Sequence, residues 1–135
     1  MLINAKKMAL VLLLLLLMVV QNHEIVFAQP QSFTAITLSF DDNNLNQYVN
    51  AWTLMKQRGM VGTFYVVTDW IVDFHQEWEG KKLNSTHLID LQDHGNEIGS
   101  HSKTHSKFTE LTESQIRNEC QLSREALESL GLSVN

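Results

Sequence analysis

Hydrophobic and polar positions along this chain fall into three kinds of pattern. From Met8 to Val20, thirteen successive residues are apolar, "MALVLLLLLLMVV". Further on, three short β-rich runs each end in polar residues: "AITLSF" (35–40), "GTFYVV" (62–67) and "EIGS" (97–100). Longer stretches with helical spacing follow each of them. In "LNQYVNAWTLMKQRG", Tyr48, Trp52 and Met55 share a helical face with Leu45 beside them, and Gly59 supplies a stop. "STHLIDLQDHG" predicts a second helix, capped at Ser85 or Thr86 and ended by Gly95. The clearest helix is "TESQIRNECQLSREALESLG". Thr112 and Gln115 form its capping box, Ile116, Cys120, Leu127 and Leu130 its apolar stripe, and Gly131 its end. The second run is nearly continuous in its apolar character, which predicts a strand covered on both faces. Residues 68–84, polar with interspersed aromatics, read as a long loop with room for a turn of helix.

The predicted order is strand–helix three times over, which argues for a parallel α/β fold. In such folds ligands bind beyond the carboxyl ends of the strands. Asp41 and Asp42 follow the first strand, and His101 and His105 follow the third. All four therefore fall at one edge of the sheet.

The leading apolar run is too short to cross a bilayer core comfortably, which takes about 20 helical residues. Lys6 and Lys7 precede it, and Val26 and Ala28 provide small residues at positions suited to cleavage. Residues 1–28 thus read as a secretory signal peptide cut after Ala28. The alternative is an uncleaved membrane anchor at residues 8–20. Residues 29–34 read as a short linker, and residues 35–135 as one modest domain.

The chain has 10 Lys+Arg and 15 Asp+Glu. Without Lys6, Lys7 and Glu24 the balance is 8 against 14, net −6. An acidic chain with no basic stripe is a poor nucleic-acid binder. With a single cysteine, Cys120, no intramolecular disulfide can form. Its place on the helical stripe predicts a small buried apolar residue rather than an activated thiol.

Two imidazoles four residues apart, in "HSKTH", can face one way and hold one cation, with a carboxylate as third ligand. Such a three-ligand site leaves a position open for water, as catalytic zinc does. A second carboxylate that is not a ligand can take a proton from the attacking water. Adjacent aspartates suit that division. Each piece alone is weak, because an H-x-x-x-H is a common accident and "DD" after a strand is often a helix-cap pair.

Together, "TLSFDD" and "GNEIGSHSKTH" resemble the first two motifs of the polysaccharide deacetylase family, the NodB-homology carbohydrate esterases (family 4). "RGMVGTFYVV" resembles that family's second strand. The resemblance spans about Ala35 to Gly131. It implies a distorted (β/α) barrel and an enzyme removing acetyl groups from an acetylated polysaccharide or oligosaccharide. It also implies that Asp41 is the catalytic base and that Asp42, His101 and His105 hold a divalent metal, usually Zn²⁺. Asn43 stands where the family often has glycine, a change a turn should tolerate.

Family domains are nearly twice this length. Their later motifs, an arginine-proline-tyrosine segment helping to form the oxyanion hole and a histidine general acid, are expected after residue 135. His23, His75, His87 and His94 offer no replacement by position. Residues 35–135 accordingly read as the N-terminal portion of the domain, a partial barrel. Two other readings stay open: a non-catalytic metal- or glycan-binding module, and a deacetylase-like enzyme cleaving a non-sugar amide. Export favours a sugar polymer over a cytosolic small amide.

Overall fold

The computed structural model describes residues 34–134 and Met8. The signal-peptide and anchor readings, and the linker as far as residue 33, lie outside the described residues. Everything below concerns the unit Ile36–Asn135.

Three parallel strands form one sheet in the order β1-β2-β3. They are β1 (Ser39–Phe40), β2 (Thr63–Val66) and β3 (Glu97–Ser100). Ser39 pairs with Thr63, and Thr63 in turn with Glu97, so the strands are in register from their first residues. Among the described residues, no helix is long and apolar enough to cross a membrane.

Helix α1 links β1 to β2 in two windings, a π segment at Gln47–Trp52 and an α segment at Thr53–Lys56. Helix α2 (Ser85–Asp93) precedes β3, and α3 (Glu113–Ser129) follows it. Short 3₁₀ turns at Thr68–Trp70 and Gln76–Trp78 interrupt the long excursion after β2. The element types and order match the sequence reading.

Alternation along the strands decides where the core lies. Phe64, Val66 and Ile98 are fully buried and pack with Trp52, Met55, Leu88, Leu91 and Leu127 from the helices. Phe40 stacks on its register partner Phe64 with ring centroids 4.8 Å apart. On the opposite face Tyr65 is exposed. The expectation that β2 is covered on both faces is therefore corrected. Phe64 and Val66 pack against the helices, whereas on the other side Thr63 is buried and Tyr65 is not. There the Tyr65 ring lies over Gly99, where an added Cβ would come within 2.7 Å of it.

Three further expectations are corrected. The first strand spans two residues, not six: Ser39 pairs with Thr63, the first residue of β2, and after Phe40 the chain turns away from Tyr65 and Val66. The cap of α2 is Asn84, whose side chain accepts from the His87 amide at 3.0 Å. The His87 ring returns the bond, accepting from the Asn84 amide at Nδ1 (3.2 Å), so a histidine fills the place usually taken by Glu or Gln in a capping box. Cys120 is exposed, not buried. The face of α3 that meets the sheet runs through Ser123 and Leu127, both fully buried, and Cys120 is turned off it. The capping box of Thr112 and Gln115 is present as expected.

Candidate functional site

After Phe40 the chain turns at once, and both Asp42 (φ 71°) and Asn43 (φ 38°) take left-handed backbone conformations. L-residues reach this region at a cost, which Asn and Asp bear better than most. The surroundings hold the turn in place. Asn43 is fully buried, and its Oδ1 accepts from the Val67 amide at 3.2 Å while its carbonyl accepts from the Leu83 amide at 2.9 Å. These two bonds show how asparagine is held in a left-handed turn position.

Lys82, only 8% exposed, donates from Nζ to the Asp42 carbonyl at 2.7 Å and to Asn44 Oδ1 at 3.0 Å. Asn44 and Lys82 also form an isolated antiparallel bridge. The end of the excursion after β2 thus splints the turn that carries Asp42. Burial pushes the Lys82 ammonium below its ordinary pKa, with the Asp42 charge opposing that shift.

At the third strand, the His101 amide donates to the Val66 carbonyl at 2.9 Å, extending the ladder by one residue. The chain then bends without forming a helix. Ser102 (φ 68°) and His105 (φ 62°) are left-handed, and the His105 amide donates to Ser102 Oγ at 3.0 Å. These bends bring the two imidazoles together with ring centroids 4.9 Å apart.

His101 Nε2 and His105 Nε2 each lie 3.5 Å from the same atom, Asp42 Oδ1. All three potential ligand atoms are within 4.8 Å of one another. Asp42 as a residue is half-exposed, yet its Oδ1 is shut off from water and has no hydrogen-bond partner. A buried, unpartnered carboxylate oxygen calls for a cation. The spacing also fits one. Ligands ~2.0–2.2 Å from a tetrahedral zinc are separated from each other by about 3.3–3.6 Å. Asp42, His101 and His105 could therefore hold one divalent ion, with two imidazole nitrogens and one carboxylate oxygen as donors.

Asp41 lies in the same turn, with an exposed side chain and a backbone carbonyl that accepts from Gln47 Nε2. The remaining described histidines are engaged elsewhere: His75 with Glu77, His87 in the α2 cap, and His94 with Asp90. Of the loop aromatics, Trp70 stands 5.0 Å from the His105 ring, Trp78 stands 5.9 Å from Trp70, and Phe74 is exposed. Lys82 Nζ sits 4.1 Å over the Trp70 ring. A groove of about 590 Å³ starts at His101 and His105 and runs past Phe108 to Cys120 and Arg124.

Sequence reasoning assigned no part to Lys82 or to Glu119, whose carboxylate binds the loop between the two histidines. Lys82 carries no local signal, since it touches the turn across 40 positions of chain. Glu119 carried no such signal either, because its inward orientation is set by the loop and strand end that α3 meets.

The sequence matches the polysaccharide deacetylase family over residues 28–133. The chain belongs to that family. Solved structures similar to it include three deacetylases or esterases. The Streptococcus pyogenes deacetylase PplD, in complex with acetate, is 16% identical over 85% of this chain and 47% of its own, with a TM-score of 0.64. A family 4 carbohydrate esterase from Streptomyces lividans, also with acetate, is 21% identical over 71% and 45%, with a TM-score of 0.58. The peptidoglycan deacetylase PdaC from Bacillus subtilis is 24% identical over 73% and 46%, with a TM-score of 0.57. These likenesses establish the fold as that of the family's NodB-type domain. The chain spans less than half the length of each of these structures. No curated protein matches its sequence.

Proposed function

We propose that this chain carries the cation-holding part of a hydrolase that removes acetyl groups from an N-acetylated polysaccharide. The observation that carries the reading is Asp42 Oδ1, buried and unpartnered, at 3.5 Å from both His101 Nε2 and His105 Nε2. In this reading Asp42, His101 and His105 hold a divalent ion, Zn²⁺ by the character of the donor set. The ion supplies Lewis-acid activation of water and of the acetyl carbonyl when bound. Asp41 takes the proton of the attacking water at its carboxylate. Its exposed side chain, in the same turn as Asp42, leaves it free to face substrate while its neighbour faces the cation. Trp70 and Trp78 wall the site beside His105, where aromatic faces suit sugar rings.

The oxyanion donor and the leaving-group acid that the family resemblance implies have no counterpart at this edge among the described residues. We therefore read residues 35–135 as the first portion of the catalytic domain. The alternative, a metal- or glycan-binding module without catalysis, draws its support from the chain's spanning less than half of its solved relatives. The export reading of residues 1–28 places the activity outside the cytoplasm.

The test is acetate release from an N-acetylated chito-oligosaccharide. A version extended through the rest of the domain should release acetate, and Asp41→Asn should lower its rate by about 10²–10⁴-fold. The 135-residue chain alone should stay at background. Enzyme-like rates from the chain alone would overturn the division of labour, and no loss on Asp41→Asn would remove Asp41 as base.

A further inference from the structure

The two histidines are separated by Ser102, Lys103 and Thr104, and the conformation of those three residues decides whether the imidazoles converge. Ser102 and His105 are both left-handed, so the loop does not hold this shape by its own preference. From the sheet side, the Asp69 amide donates to the Lys103 carbonyl at 3.0 Å, and Lys103 Nζ pairs with the Asp69 carboxylate at 2.8 Å. From the helix side the restraint is one carboxylate. Glu119 Oε2 accepts from the Lys103 amide at 3.0 Å and the Thr104 amide at 2.8 Å, and Oε1 accepts from Thr104 Oγ1 at 2.9 Å.

Glu119 is half-buried and forms no ion pair among the described residues, so its carboxylate is committed to the loop. Two successive amides converging on one anion form a compact, charge-assisted clamp. One turn later on the same face, Ser123 Oγ meets Ser100 Oγ at 2.7 Å, and one turn after that Leu127 enters the core. The stripe Glu119–Ser123–Leu127 therefore ties the histidine loop, the end of β3 and the core to one rigid helix.

We propose that Glu119 is a positioning residue for the cation site: by holding the Lys103 and Thr104 amides it fixes the separation of His101 and His105. It touches neither cation nor substrate and acts through the loop. The inference rests on the reading that Asp42, His101 and His105 bind a divalent ion. Partners bonded directly to a metal ligand change metal affinity by about 10–100-fold when removed, and Glu119, which fixes the backbone between two ligands, should act within that range.

Three substitutions separate reach from charge. Glu119→Gln keeps the length and an acceptor oxygen but loses the charge. Glu119→Asp keeps the charge but is one methylene too short to reach both amides. Glu119→Ala loses both. The readouts are Zn²⁺ affinity by competition with a chromophoric chelator and the visible d–d spectrum of the Co²⁺-loaded chain, with thermal melting alongside. Glu119→Gln should bind within a few-fold of the wild type with an unchanged Co²⁺ spectrum. Glu119→Asp and Glu119→Ala should bind about 10–100-fold more weakly, with an altered spectrum.

If Glu119→Ala does not fold, the Gln-against-Asp contrast decides alone. Wild-type affinity and spectrum in Glu119→Asp would overturn the positioning role, as would an equal loss in Gln and Asp. A wild-type chain that binds no divalent ion would instead overturn the site reading itself, which keeps the two failures apart.

Discussion

Lys82 donates to the backbone carbonyl of Asp42 at 2.7 Å, across 40 positions of sequence. The contact joins a nearly buried ammonium to the left-handed turn that aims Asp42 at the two histidines. Removing the donor takes a charge-assisted bond from the Asp42 carbonyl and Asn44 Oδ1, and a bond to a charged group contributes about 1.5–3 kcal/mol. Lys82→Met, which keeps most of the apolar stem over Trp70, should destabilise the chain by that amount in urea unfolding. It should also weaken divalent-ion binding. Unchanged stability would mean that the splint contributes nothing to the turn.

Asn43 tests the turn from inside. It combines a left-handed backbone with a side-chain bond to the Val67 amide. Asn43→Gly loses the bond but relieves the backbone, whereas Asn43→Ala loses the bond and keeps a Cβ at positive φ. Asn43→Ala should therefore be the less stable of the two, by about 1–2 kcal/mol in denaturant unfolding. The reverse order would contradict the conformational account of this position.

His87 makes stability depend on pH. Burial lowers its pKa below the usual histidine value, with Asp73 and Asp90 opposing, and its Nδ1 accepts the Asn84 amide bond only when unprotonated. The folded state therefore binds a proton on this ring less readily than the unfolded state. The stabilisation is complete above the unfolded pKa of about 6.5 and is lost progressively as pH falls below it. Melting temperature should drop between pH 7.5 and 5.5, and His87→Gln, which preserves the capping acceptor, should flatten that drop. An equal drop in wild type and His87→Gln would assign the effect elsewhere.

The proposed leader has its own check. Mass measurement of material secreted by an expressing cell should find a chain beginning at Gln29. A protein that keeps residues 8–20 and fractionates with membranes would establish the anchor instead.

Much of the fold was legible because local signals agreed with the global arrangement. The capping box at Thr112 and Gln115, the glycines after the helices and the three β-rich runs each marked an element that is present. The meeting of Asp42, His101 and His105 was legible because parallel topology sends the ends of β1 and β3 to one edge. What escaped the reading depends on contacts between distant segments. A hydrophobic pattern placed Cys120 on the inward stripe of α3, because it scores apolarity and could not see that Glu119 and Ser123 face inward to bind the loop and strand end. The brevity of β1 follows from where β2 begins and from the turn after Phe40, and the first of these no residue of β1 encodes. The capping role of Asn84 was hidden because its reciprocal partner at the third helical position is a histidine.

The central claim is that Asp42, His101 and His105 hold one divalent cation. The most direct measurement is a Zn²⁺ titration of the metal-free chain, beside Asp42→Ala and His105→Ala, with folding of each variant verified by circular dichroism. The account predicts one equivalent bound by the wild type and loss of that site in both variants. No binding by the folded wild type, or binding that survives both substitutions, would contradict it.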